Sequence, residues 1–259
     1  MNQLKMIAAA VALAAAGTAS ANVLHPTSTT NGGEMSLTVF SKQAGVSFLF
    51  DTGVMLNDFR ANPFQSWSMD GNGAFDTFLS LYTAAGADDM RWTFFGGDNS
   101  GVPAAARNMV TTVNGDVTSI TNGGMVVGME RIKANYLDAA NLNPQLNVTL
   151  GGSANASGVF VQGVDGKAYF LDTLGSDFEG RLPDTSNVLG GTTELFDLVR
   201  SSTSALGNAD ETLIGLASFK QQAGSYTFAV TPVPEPSTYA LVIAGLAVAG
   251  IAARRRAAK

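Results

Sequence analysis

The chain has 259 residues, with 15 Lys and Arg against 21 Asp and Glu, a formal net charge of −6, no cysteine and one histidine. The lack of cysteine excludes disulfides, thiolate nucleophiles and Cys-based metal centres. The acidic excess argues against nucleic acid or an anionic membrane surface as a partner, because both favour clustered Lys and Arg.

Residues 1–21 read as a secretory signal peptide. Lys5 supplies the positive start, Met6–Ala16 the apolar middle, and Ala19-Ser20-Ala21 a small-residue cleavage site for signal peptidase. Removing Lys5 at this end, and Glu235, Arg254, Arg255, Arg256 and Lys259 at the other, takes the net charge from −6 to −10 for residues 22–231. That suits an exported domain large enough to bury a core without disulfides. His25, beside Pro26 in a Ser/Thr/Asn stretch, falls in the flexible start of the mature chain and offers little to a Ser–His site or a His-rich metal centre.

The body alternates short β-branched or aromatic runs with turn residues. Met35–Phe40 alternates at period two, and Gly45–Phe50 follows within hairpin distance across Ser41–Ala44. Arg91–Phe95 is a further predicted strand, ended by Gly96-Gly97-Asp98-Asn99. Met109–Val113 is another, with Asn114-Gly115 as a hairpin turn after it. Gln145–Leu150, Gly158–Gln162, Ala168–Leu171, Leu195–Val199, Leu213–Phe219 and Ser225–Val230 continue the series, and Asp165-Gly166 predicts a second tight hairpin. The Gly pairs at 96–97, 123–124, 151–152 and 190–191 read as turns.

Two segments carry a helical period. Phe75, Phe78, Leu79 and Tyr82 fall at i, i+3, i+4 and i+7, with Asn72 or Asp70 as the cap. Met129, Ile132, Tyr136 and Ala140 share a face of a second helix that stops at Asn143-Pro144. Many short strands with one or two short helices predict a single antiparallel β-sandwich over residues 22–231.

Candidate chemistry in the body is sparse. Leu49-Phe50-Asp51-Thr52-Gly53 resembles the active-site loop of aspartic proteases, where two carboxylates share a proton and activate water. The nearest second copy, Phe170-Leu171-Asp172-Thr173-Leu174, lacks the Gly that turns the loop; an Asp-x-Gly turn ending a strand accounts for the same residues. Asp70–Asp76 fails the calcium-loop pattern, having Ala74 and Leu81 where ligands should stand. Asp88-Asp89 and Asp98–Gly101 are loop acids that a structural Ca²⁺ would need, or ordinary turns. No cofactor-binding pattern is present, and no metal ligand set is assigned. Trp67, Trp92, Tyr82 and Tyr169 offer rings for a sugar-stacking surface or for the core, Trp67 being the best candidate for exposure. Asn147-Val148-Thr149 and Asn155-Ala156-Ser157 match a glycosylation acceptor pattern.

The strongest signal lies at 232–259. Val233-Pro234-Glu235-Pro236 precedes an uncharged run, Ala240–Ala253, and then Arg254-Arg255-Arg256. With residues 236–239 the run approaches the lower end of the ~17–25 residues that span a bilayer. The arginines predict a cytoplasmic end, leaving the body outside. Pro234 and Pro236 stiffen the segment before the helix. In motif, apolar span and basic end, the tail resembles the PEP-CTERM sorting signal of Gram-negative, exopolysaccharide-producing bacteria. The resemblance implies processing by exosortase, a membrane-embedded transpeptidase-like enzyme. It implies an inner-membrane-anchored precursor, then display at the cell surface or in the extracellular matrix. Gly33–Phe40 and Phe50-Asp51-x-Gly53 are also similar to the openings of other PEP-CTERM bodies, uncharacterised β domains. Two functions stand as expectations: a non-enzymatic envelope or matrix protein associated with exopolysaccharide or biofilm, or a secreted hydrolase, aspartic-protease-like at Asp51.

Overall fold

The computed structural model describes residues 23–26, 32–100, 107–143, 146 and 156–233. The strands are β1 (Glu34–Ser41), β2 (Val46–Met55), β3 (Ser66–Ser68), β4 (Arg91–Asp98), β5 (Asn108–Val113), β6 (Ser157–Val161), β7 (Asn187–Val188), β8 (Thr192–Val199), β9 (Asp210–Gln222) and β10 (Ser225–Thr231). The helices are α1 (Leu56–Ala61), α2 (Gly73–Ala84), α3 (Asn122–Arg131), α4 (Asp138–Leu142) and α5 (Phe170–Thr173), with a π-helical stretch, Ile132–Leu137, joining α3 to α4.

All pairings are antiparallel, as the alternation predicts, but the two separate sheets of a sandwich are not formed. The strands make one sheet in the order β3-β10-β9-β8-β5-β4-β1-β2-β6, with β7 on β4. The reason lies in the apolar residues on both faces. One face presents Phe40, Leu49, Phe95, Met109 and Leu198 to Met125, Met129, Ile132, Tyr136 and Ala140 of the α3–α4 helix. The other presents Leu37, Val39, Phe48, Trp92, Phe94, Leu195, Phe219 and Phe228. Among the described residues no second sheet covers that face. The sheet curls over on this face, so that Phe228 of β10 reaches Phe94 and Trp92 of β4 at 4.6 and 5.6 Å between ring centroids, although three strands lie between β10 and β4.

Helix α2 fills the gap left by the curl. Phe75 and Phe78 are buried, and Phe75 meets Phe48 at 5.1 Å and Phe219 at 6.0 Å, bridging the two sides of the roll. Asn72 is the cap: its Oδ1 accepts from Ala74 N and Phe75 N, each at 3.1 Å, and from Ser157 Oγ of β6 at 3.2 Å. The predicted Met129–Leu142 helix begins earlier, at Asn122, where Thr121 Oγ1 accepts from Gly124 N. Its four predicted core positions, Met129, Ile132, Tyr136 and Ala140, are all fully buried. Tyr136 lies on the π stretch and meets Thr38 Oγ1 of β1 at 3.1 Å through its hydroxyl.

Several local predictions are corrected. Ala168–Leu171 is not a strand and Asp165-Gly166 makes no hairpin; a 3-10 turn (Gly166–Ala168) and α5 stand there. Asp165 Oδ2 accepts from Val161 N at 2.7 Å and folds the chain back. Asn114-Gly115 closes no hairpin, because the partners of β5 are β4 and β8. Gly96 and Gly97 lie inside β4, where a Cβ would stand 2.5 Å from Met35 Sδ on one face and 2.7 Å from Met129 Sδ on the other. Gly123 and Gly124 open α3, while Gly190 does lie in a turn. Residues 23–26, expected to be flexible, are docked. Val23 is buried and exchanges hydrogen bonds with the Asn141 side chain, and Pro26 O accepts from Asn99 N. The strand predicted at Gln145–Leu150 falls largely outside the described residues.

Phe228 is the contact through which the roll closes. Phe228→Ala should lower stability by about 3–5 kcal/mol in a chemical denaturation experiment, well beyond the change expected for Phe64→Ala at the exposed rim.

Candidate functional site

Asp51, the one catalytic candidate of the body, does not end its strand. β2 continues through Asp51-Thr52-Gly53 to Met55, and the extra residues are absorbed by a bulge opposite β1, between the Ser36↔Asp51 and Glu34↔Met55 pairs. Gly53 takes φ 68°, a conformation that costs Gly little and an L side chain more. Gly53 N donates to Asp51 Oδ1 at 2.8 Å, Thr52 Oγ1 donates to Met35 O at 2.7 Å, and Val54 N donates back to Thr52 Oγ1.

The bulge brings Asp51 beside Glu34, a partner the sequence did not reveal. Asp51 is 1% exposed, and no N–H or O–H donor reaches its Oδ2. Burial first, and the neighbouring Glu34 charge second, push its pKa up to about 8, against the opposing hydrogen bond from Gly53. Protonated, Oδ2 becomes the donor and Glu34 the acceptor, so the carboxyl–carboxylate contact is satisfied by one shared proton. Glu34 in turn receives Leu24 N on Oε2 at 2.6 Å, while its own N donates to Leu24 O. The pair therefore ties the docked amino-terminal segment to the bulge.

This arrangement holds structure, with the Asp51 carboxyl sealed from solvent and Glu34 half-buried beside it. The Asp51 carboxyl is 1% exposed, and the two surface hollows seen among the described residues, along Asp76–Ala84 and between Asp116 and Arg181, do not touch it. The second aspartic loop is not formed: Asp172 stands exposed on α5 and accepts from Gln162 Nε2 at 3.2 Å.

The remaining candidates separate in the same way. Asp89 accepts from Ser41 Oγ and from Gln43 N at 2.9 Å, and Asp88 accepts from Gln43 Nε2 at 2.8 Å; together they brace the β1–β2 hairpin. Asp98 Oδ1 accepts from Ser100 N and Oγ. Among the described residues no group of three or more His, Cys, Asp or Glu side chains is placed to hold a metal. Trp92 and Tyr169 are buried in opposite layers, one on each side of the sheet. Trp67 is half-buried and stacks on Phe228 at 5.7 Å, so these rings do not form one sugar-stacking surface. Burial, with Lys133 nearby, lowers the His25 pKa. Asp197 is raised by burial against its 2.7 Å ion pair with Arg60.

At the far end of the chain, β10 delivers Pro232 and Val233 into solvent, Val233 being 38% exposed. Pro234, Glu235 and Pro236, the basic Arg254, Arg255 and Arg256, and the signal-peptide residues Ala19 and Ala21 lie outside the described residues. Among the described residues no helix is long and apolar enough to cross a membrane.

The Asp51–Glu34 pair has a stability signature. Asp51 keeps its proton in the fold up to about pH 8 and loses it near pH 4 when unfolded. The folded state thus binds more protons across that window, and stability falls as pH rises from about 4 to about 8. Denaturation midpoints measured over this range should decline towards alkaline pH. Asp51→Asn, which supplies an N–H to Glu34, should flatten the slope and be better tolerated at pH 8 than at pH 5.

Residues 232–256 match the family model described as the PEP-CTERM protein-sorting motif. No curated protein and no solved structure matches the chain. The motif supports export through an exosortase-type sorting system with a membrane-anchored precursor, while the match does not extend to the β body. What the comparison identifies in this chain is therefore a PEP-CTERM protein-sorting motif, at residues 232–256 after β10.

Proposed function

We propose that the chain is a non-enzymatic protein of the cell envelope or extracellular matrix, carried out by its sorting tail and associated with exopolysaccharide or biofilm. The observation that carries this reading is the joining of a PEP-CTERM motif at 232–256 to a curled sheet in which Asp51, the most strongly perturbed carboxyl among the described residues, is sealed inside. Signal peptidase acts after Ala21 in this reading. The apolar run then holds the precursor in the inner membrane with Arg254–Arg256 on the cytoplasmic side. An exosortase-type enzyme takes Val233–Pro236 as its recognition segment. Support for that last step comes from the end of β10: Pro232 and Val233 leave the sheet exposed and unpaired, with alternate prolines discouraging further ladder formation.

A secreted hydrolase built on Asp51 is the competing reading. Its two carboxyl groups would be Asp51 and its neighbour Glu34, but the burial of Asp51 leaves no place for a substrate bond between them. Asp51→Asn should leave the protein's sorting and surface behaviour intact, whereas loss of a measurable hydrolytic activity on this substitution would favour the enzyme.

The tail is tested by replacing Pro234, Glu235 and Pro236 with Ala in the native host. The precursor should accumulate in the inner-membrane fraction at its full mass, with less released or surface protein. The processed protein from the unmodified strain should co-sediment with the host's own exopolysaccharide. Normal processing of the triple variant, or no retention by the polysaccharide, would remove the corresponding half of the proposal.

A further inference from the structure

Antiparallel pairing sets which loops share an end of the sheet. The starts of β1, β5 and β9 lie at the same end as the finishes of β2, β4, β8 and β10. This is the end from which the tail departs, and also the end where residues 23–26 dock. β9 overhangs there: Thr231, the last residue of β10, pairs with Leu216, so Asp210–Gly215 extends beyond it with no partner strand on that side among the described residues.

The exposed apolar side chains are unevenly spread between the two ends. Of eight large apolar residues that are exposed among the described residues, five stand at the tail end: Leu24, Phe64, Leu206, Leu213 and Val233. Leu206 is 89% exposed on the β8–β9 loop, and Phe64 is 47% exposed with its ring 3.2 Å from where a Gly215 Cβ would stand. Thr231 O lies close to the same point, at 2.5 Å, so Phe64 borders the exit of the tail. Of the other three, Val188 and Val164 stand at the opposite end, and Leu142 ends α4 next to Asn143, which bonds Asp165 there. Arg60, Arg107 and Arg200 at the tail end are outnumbered by Glu34, Asp58, Asp98, Asp197, Asp210 and Glu211, which disfavours an anionic surface.

The length of the connecting chain names the occupant. Seven residues lead from Val233 to Ala240, where the uncharged run begins. Fully extended they reach no more than about 25 Å, so an anchored run keeps this rim within reach of the lipid headgroups. We infer that the tail end of the sheet, through Leu206, Leu213, Phe64 and Val233, rests on the zwitterionic phospholipid surface of the membrane that holds the precursor. The opposite end, with the β1–β2 and β9–β10 hairpins, then points away from the bilayer. Exposed apolar groups at an interface gain by entering the headgroup boundary, and the short tether raises their effective concentration there. The inference rests on the membrane-anchored precursor proposed above.

The absence of native cysteine allows a direct test on the full-length chain. Single variants Leu206→Cys, Leu213→Cys, Val164→Cys and Val188→Cys are labelled with a fluorophore and reconstituted in phosphatidylcholine vesicles bearing headgroup spin labels. Labels at 206 and 213 should lose fluorescence, and those at 164 and 188 should keep it. The same measurement is repeated with a ~20-residue Gly/Ser insert after Val233, whose r.m.s. span is about 25 Å. Quenching at 206 and 213 that survives the insert supports docking; quenching that vanishes shows tethering alone and overturns it. Equal quenching at both ends, or none, also overturns docking. Flotation of the unlabelled chain with the vesicles is scored separately. A chain that floats without quenching refutes the docking surface and leaves the anchor standing, whereas a chain that does not float refutes both.

Discussion

The fold depends on a sheet that is apolar on both faces and has only one helical layer to cover it. The α3–α4 helix buries one face. The other has no second sheet to meet, and exposing Trp92, Phe94, Phe48 and Phe219 to water would forfeit on the order of 1.5–3 kcal/mol for each. Curling resolves the problem by making the sheet its own partner. Phe228, Trp67 and Phe94 close the roll, and α2 supplies Phe75 and Phe78 where the edges do not pair. The close approaches at Gly96 and Gly97 follow from the same demand, since both faces of β4 are packed.

The curl also explains how polar groups survive inside. Asp51 and Glu34 come together only because a bulge in β2 takes up two extra residues opposite β1. Desolvation then makes the neutral acid the stable form, and the proton that burial retains is the one that satisfies the contact. Thr93, Thr112 and Thr185 solve a similar problem with hydroxyls, Thr112 donating to Thr185 O at 2.6 Å and Thr93 to Thr185 Oγ1 at 3.0 Å. These interior polar contacts fix strand register and the docking of residues 23–26. The sorting motif lies outside them, past the exit of β10, where the chain leaves a packed ladder for a proline-punctuated segment.

Much of this was legible in the residues. The short β-branched and aromatic runs place β1, β4, β5, β6, β8 and β10 close to their observed bounds, and find β2 and β9 but stop short of their ends; the 3.6-residue pattern, with a cap expected at Asn72 or Asp70, places α2. The tail was legible too, because its signal is local: prolines, an uncharged run and arginines act through composition and order, without tertiary help. Local signals misled where a distant group supplied the competing contact. Asp165-Gly166 reads as a hairpin until Asp165 caps Val161 N, and Gly96-Gly97 reads as a turn until Met35 and Met129 press on it from either side.

The sequence by itself determined the antiparallel β class, the helical faces of α2 and α3–α4, and the sorting tail, since each is written in spacing or composition along the chain. Only the tertiary structure decided that one sheet curls in place of two sheets stacking, because alternation specifies which residues are buried and is silent on what buries them. It alone decided that Asp51 faces Glu34, a contact across 17 residues set by a bulge, and that five exposed apolar side chains gather at the end from which the tail departs. Both outcomes are fixed by strand order and register, which arise from long-range packing.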